Sequence, residues 1–352
     1  MTPAETHTLI GHAAAERAML QAAQAGRVPH AWVIAGPPGV GKATLAFRFA
    51  RFLLAHGLDP AEPALAGATT LETPADHPAS RRVAAGSHGD LLYLSREGLA
   101  DGDKVPRDLP VSAIRRIRPF LGMTAAEGGW RIAIVDEAET MTRSAANAIL
   151  KVLEEPPRNC VLMLLSCNPG GLLPTIRSRC RLLRLSPVGE AALAPALIAA
   201  RPGLAEERAV AYARLAQGCY GTALALHDDD ALDLYRGMVE MLAAAVGNAR
   251  DRDQTLIAWG EALAGRGGEF DLTFDLMQGL LERWVDALSR GLRPVSVVAE
   301  EADLLDPIMR RGGVDRLIAV WDKTRLLLDR AARANLDRRL TAVQVMTAFA
   351  RS

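Results

Sequence analysis

The chain carries no excess charge of either sign: 41 lysines and arginines balance 41 aspartates and glutamates over 352 residues. That balance excludes a bulk positive field drawing the whole molecule onto nucleic acid or an anionic membrane, so any such contact has to be local or shared with partners. Cysteine is scarce. Cys160, Cys167, Cys180 and Cys219 form no paired CxxC, and in an intracellular protein such cysteines stay reduced, so free thiols, mostly in the core, are expected. No apolar run approaches the roughly 18 residues of a membrane span. The start, MTPAETHTLI, has no basic-then-apolar signal, so the expectation is a cytoplasmic protein with no membrane partner. Lysine is reduced to Lys42, Lys104, Lys151 and Lys323. What the chain does have is apolar side chains, 49% of the total, enough to bury a core in two or three domains and to exclude general disorder.

Four short apolar runs alternate with amphipathic stretches in the first half: AWVIA (31–35), LLYL (91–94), RIAIVD (131–136) and VLMLLS (161–166). The alternation predicts βαβ units and a parallel sheet. Residues 56–90, rich in Pro, Gly and small polar side chains, read as a long surface excursion from that sheet. From about Pro187 the strand signal ends and helical periods take over, as in the stripe of Met277, Leu280, Leu281, Trp284 and Leu288. HDDDALD (227–233) reads as an exposed acidic junction, with Asp229 or Asp230 available to cap the next helix. The expected organisation is an α/β core over 1–186, a small helical region over 187–228 and an all-helical domain over 229–352.

AGPPGVGKATLAFRF (35–49) satisfies G-x-x-x-x-G-K from Gly36 to Lys42, between an apolar strand and a helix. In such a loop backbone N–H groups converge on phosphate oxygens, the helix N-terminus adds positive potential, and glycine keeps side chains out of the ligand's place. Gly36, Gly39, Gly41 and Lys42 are the candidate nucleotide contacts, Lys42 as the point charge for the terminal phosphates. The plain alternative is a tight Gly/Pro turn with no ligand. The next residue breaks the pattern: Ala43 stands where a hydroxyl would hold Mg²⁺, and Thr44 is turned about 100° further round the helix. RIAIVDEAETM (131–141) supplies an acidic half, a strand ending in Asp136 and Glu137. There the first carboxylate can hold Mg²⁺ and the second can orient an attacking water; without a phosphate loop upstream the pair would read as a solvated turn.

The stretch 144–159 opens as a helix in which Ala146, Ile149, Leu150 and Leu153 share a face, capped by Thr142 or Ser144 and ended by Pro156-Pro157. LLPTIRSRCRLLRL (172–185) then sets Arg177, Arg179, Arg181 and Arg184 behind the fourth strand, which taken alone is a solvated basic edge. AIRRIRPFL (113–121) puts Arg115, Arg116 and Arg118 on an early helix, either as local DNA-phosphate contacts or as an ordinary solvated face.

In this order the phosphate loop, VDEAE, ANAILKVLEEPP and LLPTIRSRC resemble the bacterial clamp-loader subunits of the AAA+ class. The opening, LIGHAAAERAMLQAAQAGRVPHAWVIAGPPGVGK (9–42), is similar to theirs as well. The resemblance covers residues 8 to 226; beyond that only helical composition and ANLDRRL (334–340) match. It implies a RecA-like ATPase core, a helical lid over 187–228 and a helical collar over 229–352 that joins five subunits into a ring. The partners it implies are the gamma/tau and delta subunits of a DNA polymerase III loader, the sliding clamp and primed DNA. It also implies a role for Arg179 as an arginine finger, a planar and permanently charged donor reaching the nucleotide of the neighbouring subunit. Ser178 and Cys180 beside it read as turn and packing residues.

Departures from the family pattern matter as much. Hydrolysing relatives carry a lid arginine in a Gly-Ser-x-Arg run where this chain has Gly221, in GCYGTALAL (218–226). Many members carry a four-cysteine zinc module between the phosphate-loop helix and the second strand, whereas residues 56–90 hold only His56, His77 and His88, which read as surface residues. The resemblance is therefore nearest to the stator of the ring: ATP or ADP bound weakly if at all, negligible hydrolysis by this chain, vestigial Asp136 and Glu137, and no zinc or other metal. Two alternatives stand beside it. One is an active loader ATPase resembling the gamma/tau subunit, with water or Thr44 rescuing Mg²⁺. The other is a small-molecule P-loop kinase, which has no use for the helical second half or the Ser-Arg-Cys run.

Overall fold

The computed structural model describes residues 2–102, 104–127, 129–247, 252–264, 268–334 and 338–350. The chain divides into two compact units, residues 1–192 with 219–222, and residues 193–218 with 223–352.

In the first unit, strands β1 (Ala31–Ala35), β2 (Leu91–Leu94), β3 (Arg131–Val135), β4 (Cys160–Ser166) and β5 (Arg181–Arg184) form one parallel sheet in the order β2-β3-β4-β1-β5. Its helices are α1 (Ala13–Gln24), α2 (Lys42–His56), α3 (Pro63–Ala66), α4 (Pro78–Ala84), α5 (Val111–Ile114), α6 (Ile117–Gly122), α7 (Arg143–Glu154) and α8 (Pro174–Arg177). Alternation along the strands sorts the core into two layers. Trp32, Ile34, Ile132, Ile134 and Met163 pack with α1 and α2 on one face. Ala31, Val33, Ala133, Val135, Leu162 and Leu164 pack with α5 to α8 on the other. The three central strands are buried on both faces, which is why they read as continuous apolar runs.

Two expectations are corrected here. Arg181–Arg184, inside the stretch read as a basic edge, is a fifth strand. It pairs only with β1 and leaves Arg181, Leu182 and Arg184 exposed, the composition of a sheet margin guarded by charge. Residues 56–90 are not wholly a surface excursion either. Proline at the first position starts α3 and α4, the Glu62 carboxylate and the His77 ring accept the capping N–H groups, and Leu65, Leu71 and Val83 enter the core. His88 is buried rather than surface, with its Nδ1 accepting the Asp90 N–H at 3.2 Å.

Burial first, then Arg82 nearby, pushes the His88 pKa below its ordinary 6.5. The unfolded chain therefore binds a proton there that the folded chain refuses, so stability is present above about pH 6.5 and is lost as pH falls below it. Urea midpoints are expected to drop between pH 7 and pH 5.5, and H88Q should flatten part of that slope; an identical slope in H88Q would exclude this source.

All four cysteines are free. Cys160 and Cys219 are buried, Cys180 is half-buried and Cys167 is exposed, so the core placement holds for only part of the set.

From α9 (Glu190–Ala200), which begins just before the second unit, every described element is helical: α10 (Glu206–Leu215), α11 (Tyr220–Asp228), α12 (Ala231–Gly247), α13 (Arg252–Ala264), α14 (Gly268–Ser289), α15 (Glu301–Ala334, broken at Gly313) and α16 (Arg338–Ala350). The acidic junction is an exposed turn between α11 and α12, where Arg201 grips Asp228 at 2.8 and 2.5 Å. On α14 Met277, Leu280, Leu281 and Trp284 are buried and Leu288 is half-buried. Within ANLDRRL, residues 335–337 lie outside the described residues. No described helix is long and apolar enough to cross a membrane.

One polar cluster sits inside these helices. Glu301, 1% exposed at the start of α15, accepts from the Tyr235 hydroxyl (2.8 Å), the Trp284 indole N–H (3.2 Å) and the Val297 N–H (2.9 Å), and faces the Arg283 guanidinium at 3.4 Å. Arg283 Nη2 also donates to the Tyr235 oxygen at 2.7 Å. The carboxylate thus joins α12, α14 and the turn before α15 at one point.

Candidate functional site

Because β1 and β4 are parallel neighbours in register, Ala35 beside Ser166, the loop leaving β1 meets the residue leaving β4. That residue is Cys167. Lys42, at the start of α2, is 8% exposed and donates from Nζ to Gly36 O (2.8 Å), Pro37 O (2.9 Å) and Cys167 Sγ (3.2 Å). An ammonium has three protons, and here three acceptors of the chain itself surround it.

The loop glycines are held by protein neighbours too. A Cβ on Gly36 would stand 2.6 Å from Leu185 O, and one on Gly39 (φ 69°) would stand 2.2 Å from Thr222 Oγ1 and 2.3 Å from Thr222 N. Residues 219–222 return to the first unit at this point. Gly221 N–H donates to Gly39 O at 2.8 Å and the Thr222 hydroxyl to Pro38 O at 3.1 Å. Gly221, where the family resemblance leads one to expect an arginine in hydrolysing members, is therefore a backbone contact with the loop, and a Cβ there would lie 3.1 Å from Gly39 Cα. Gly41 (φ 109°) leads into α2, and beyond it Ala43 packs against the core without a hydroxyl while Thr44 is half-buried. The residues present fit a magnesium nucleotide badly: the lysine is engaged, the first metal ligand is missing, and Thr222 lies against Gly39.

The acidic pair is likewise occupied. Asp136 Oδ2 accepts from the Tyr93 hydroxyl at 3.0 Å and Oδ1 from the Glu137 N–H at 2.9 Å. Burial raises the Asp136 pKa above the usual carboxylate value, against the lowering effect of those hydrogen bonds. Glu137, at φ 50°, is bound in bidentate fashion by one edge of the Arg96 guanidinium, Nε to Oε2 at 2.7 Å and Nη2 to Oε1. Next to them Glu139 Oε1 accepts the Cys167 N–H at 3.0 Å. Tyr93, Arg96, Cys167 and Thr222 escape the sequence patterns because no spacing announces them: the strand order brings Tyr93 and Arg96 to the acidic pair and Cys167 to the loop, and the return of residues 219–222 brings Thr222.

Arg179 stands in the turn between α8 and β5. Its Nη2 lies 3.0 Å from Glu154 Oε1, Nη1 donates to Thr175 O at 3.1 Å, and the side chain is 38% exposed. Arg181 stacks over Trp32, 5.3 Å from the ring centre. Arg177 and Arg184 are exposed and make no ion pair among the described residues. Ser178 Oγ donates to Thr175 O at 3.2 Å, and burial pushes the half-buried Cys180 thiol up to about 12.

Arg115, Arg116 and Arg118 do not share one helix. Arg115 and Arg116 form the turn between α5 and α6, and Arg118 is on α6. All three point outward because Ile114, Ile117 and Leu121 take the buried side. No group of three or more His, Cys, Asp or Glu among the described residues is arranged to hold a metal ion.

Comparison with known proteins identifies the family. The family model described as DNA polymerase III, delta subunit matches residues 11–189. The DNA polymerase III subunit delta' of Pseudomonas aeruginosa is 38% identical over 151 residues, 43% of this chain and 41% of that protein. The delta' subunit of Escherichia coli K12 is 32% identical over 229 residues, 63% and 62% of the two chains. The gamma/tau subunit of Mycobacterium bovis is 29% identical over 177 residues, 50% of this chain and 28% of its own length. The chain spans less than two thirds of the length of these curated relatives. Since the family model matches over half of its residues, from the approach to the phosphate loop to the end of the sheet, the chain belongs to the DNA polymerase III delta subunit family.

Proposed function

We propose that this chain is the delta-prime stator of a DNA polymerase III clamp loader, which hydrolyses no ATP itself and lends Arg179 to the nucleotide of a neighbouring subunit. The observation that carries this is the occupied phosphate loop: Lys42 is surrounded by Gly36 O, Pro37 O and Cys167 while Ala43 offers no metal ligand. ATP or ADP binds weakly at most, since it has to draw Lys42 away from those acceptors. Residues 187–228 act as the lid, and the helices of 229–352 form the collar that meets the gamma/tau and delta subunits in a five-membered ring. The sliding clamp and primed DNA are partners of the assembled ring, with Arg115, Arg116 and Arg118 facing DNA phosphates. A gamma/tau-like ATPase is disfavoured by Ala43 and by the Gly221 contact with Gly39.

The test is steady-state ATP hydrolysis by the purified chain. The expected rate is no higher than the protein-free blank and unchanged in K42A. Turnover that disappears in K42A would overturn the proposal in favour of an active loader ATPase.

A further inference from the structure

α7 ends in two carboxylates, Glu154 and Glu155, although the carbonyl end of a helix favours cations. Glu154 is the one that faces a partner across the fold, Arg179, on a separate turn 25 residues further along the chain. Of the arginines at 177, 179, 181 and 184, only Arg179 has a carboxylate on it: Arg181 rests on Trp32, and Arg177 and Arg184 extend into solvent. A half-exposed ion pair of this kind adds little to stability. Its effect is on orientation. An arginine side chain has many rotamers, and one that must meet a ligand held by another molecule loses that freedom on contact unless it is already ordered. Thr175 O takes one N–H from Nη1 and the Glu154 carboxylate lies 3.0 Å from Nη2 as an ion pair, which leaves the other guanidinium N–H bonds to an outside acceptor.

We infer that Glu154 is a positioning residue, which holds the Arg179 guanidinium ready for the phosphate group of a neighbouring subunit's nucleotide. This rests on the trans role of Arg179 proposed above. Ordering one long side chain in advance corresponds to about a three- to tenfold gain in turnover.

The experiment uses the reconstituted loader with E154Q, E154D, R179A and E154Q/R179A, measuring kcat and KM for ATP with DNA and clamp present, and the melting temperature of each chain. The expected results are a three- to tenfold lower kcat in E154Q with unchanged KM and melting temperature, partial rescue in E154D, and a double variant no slower than R179A. Wild-type kcat in E154Q, or a further loss in the double variant, overturns the positioning role while leaving Arg179 in place. An unaltered rate in R179A overturns the trans arginine itself, and the positioning role with it.

Discussion

Arg179→Ala is expected to leave the ring assembled and to slow ATP hydrolysis at the adjoining subunit by roughly 10³-fold, the scale on which arginine fingers act. The side chain lies in a turn at the sheet margin, half-exposed, and its truncation removes one exposed ion pair and no core contact, so folding should be unaffected. In the trans role proposed for it, its electrostatic contribution is made only where charge develops on a transferring phosphoryl group, outside this chain. The measurement is clamp- and DNA-stimulated turnover in a reconstituted loader whose other hydrolysing sites are inactivated. R177A, R181A and R184A serve as controls, because a general basic margin would give similar small losses at all four positions. A rate for R179A equal to those controls would return this residue to the role of surface charge.

A second large effect is expected in the helical unit. Glu301→Ala leaves the Arg283 cation beside Tyr235 and Trp284 with no counter-charge and strands three donors that the carboxylate satisfied. Removing one member of a buried charge pair costs about 3–5 kcal/mol, a large share of the 5–15 kcal/mol that separates folded from unfolded domains. Urea unfolding followed by tryptophan fluorescence should show the transition of the second unit moving to much lower denaturant. E301Q, which keeps an acceptor, should fall between the two. Glu300, half-exposed and 3.7 Å from Arg236, is the neighbouring control; an E301A midpoint no lower than that of E300A would show that the cluster adds nothing to stability.

What the sequence disclosed, and what it hid, follows from the range of the interactions. β1 to β4 are nearly continuous apolar runs, and α7 announces itself through Thr142, a regular apolar face and a terminal Pro-Pro. These are local signals, and they gave boundaries within a residue or two. β5 was hidden because an edge strand has one partner and keeps arginines in water, so Arg181–Arg184 resembles any solvated charge run. α3 and α4 were hidden because each is short and is started by a proline and an unusual cap, a glutamate and a histidine ring, rather than by a period. The phosphate loop could be read from its glycines, but its state could not. Whether Lys42 is free depends on Cys167, which is distant in sequence and adjacent only because β4 lies beside β1. The same holds for Arg96 on Glu137 and Glu154 on Arg179.

The glycines at 36 and 39 separate ancestry from present use. Each is required by a neighbour within the protein, Gly36 by the carbonyl of Leu185 and Gly39 by Thr222, whether or not any phosphate arrives. Folding alone is therefore sufficient to require the outline of a nucleotide motif, with or without a nucleotide, whereas the hydroxyl absent at Ala43 is no part of that packing. A signature of this kind reports how the backbone is packed. The capacity for metal-assisted chemistry is read instead from position 43, where the chain has a methyl group and no hydroxyl.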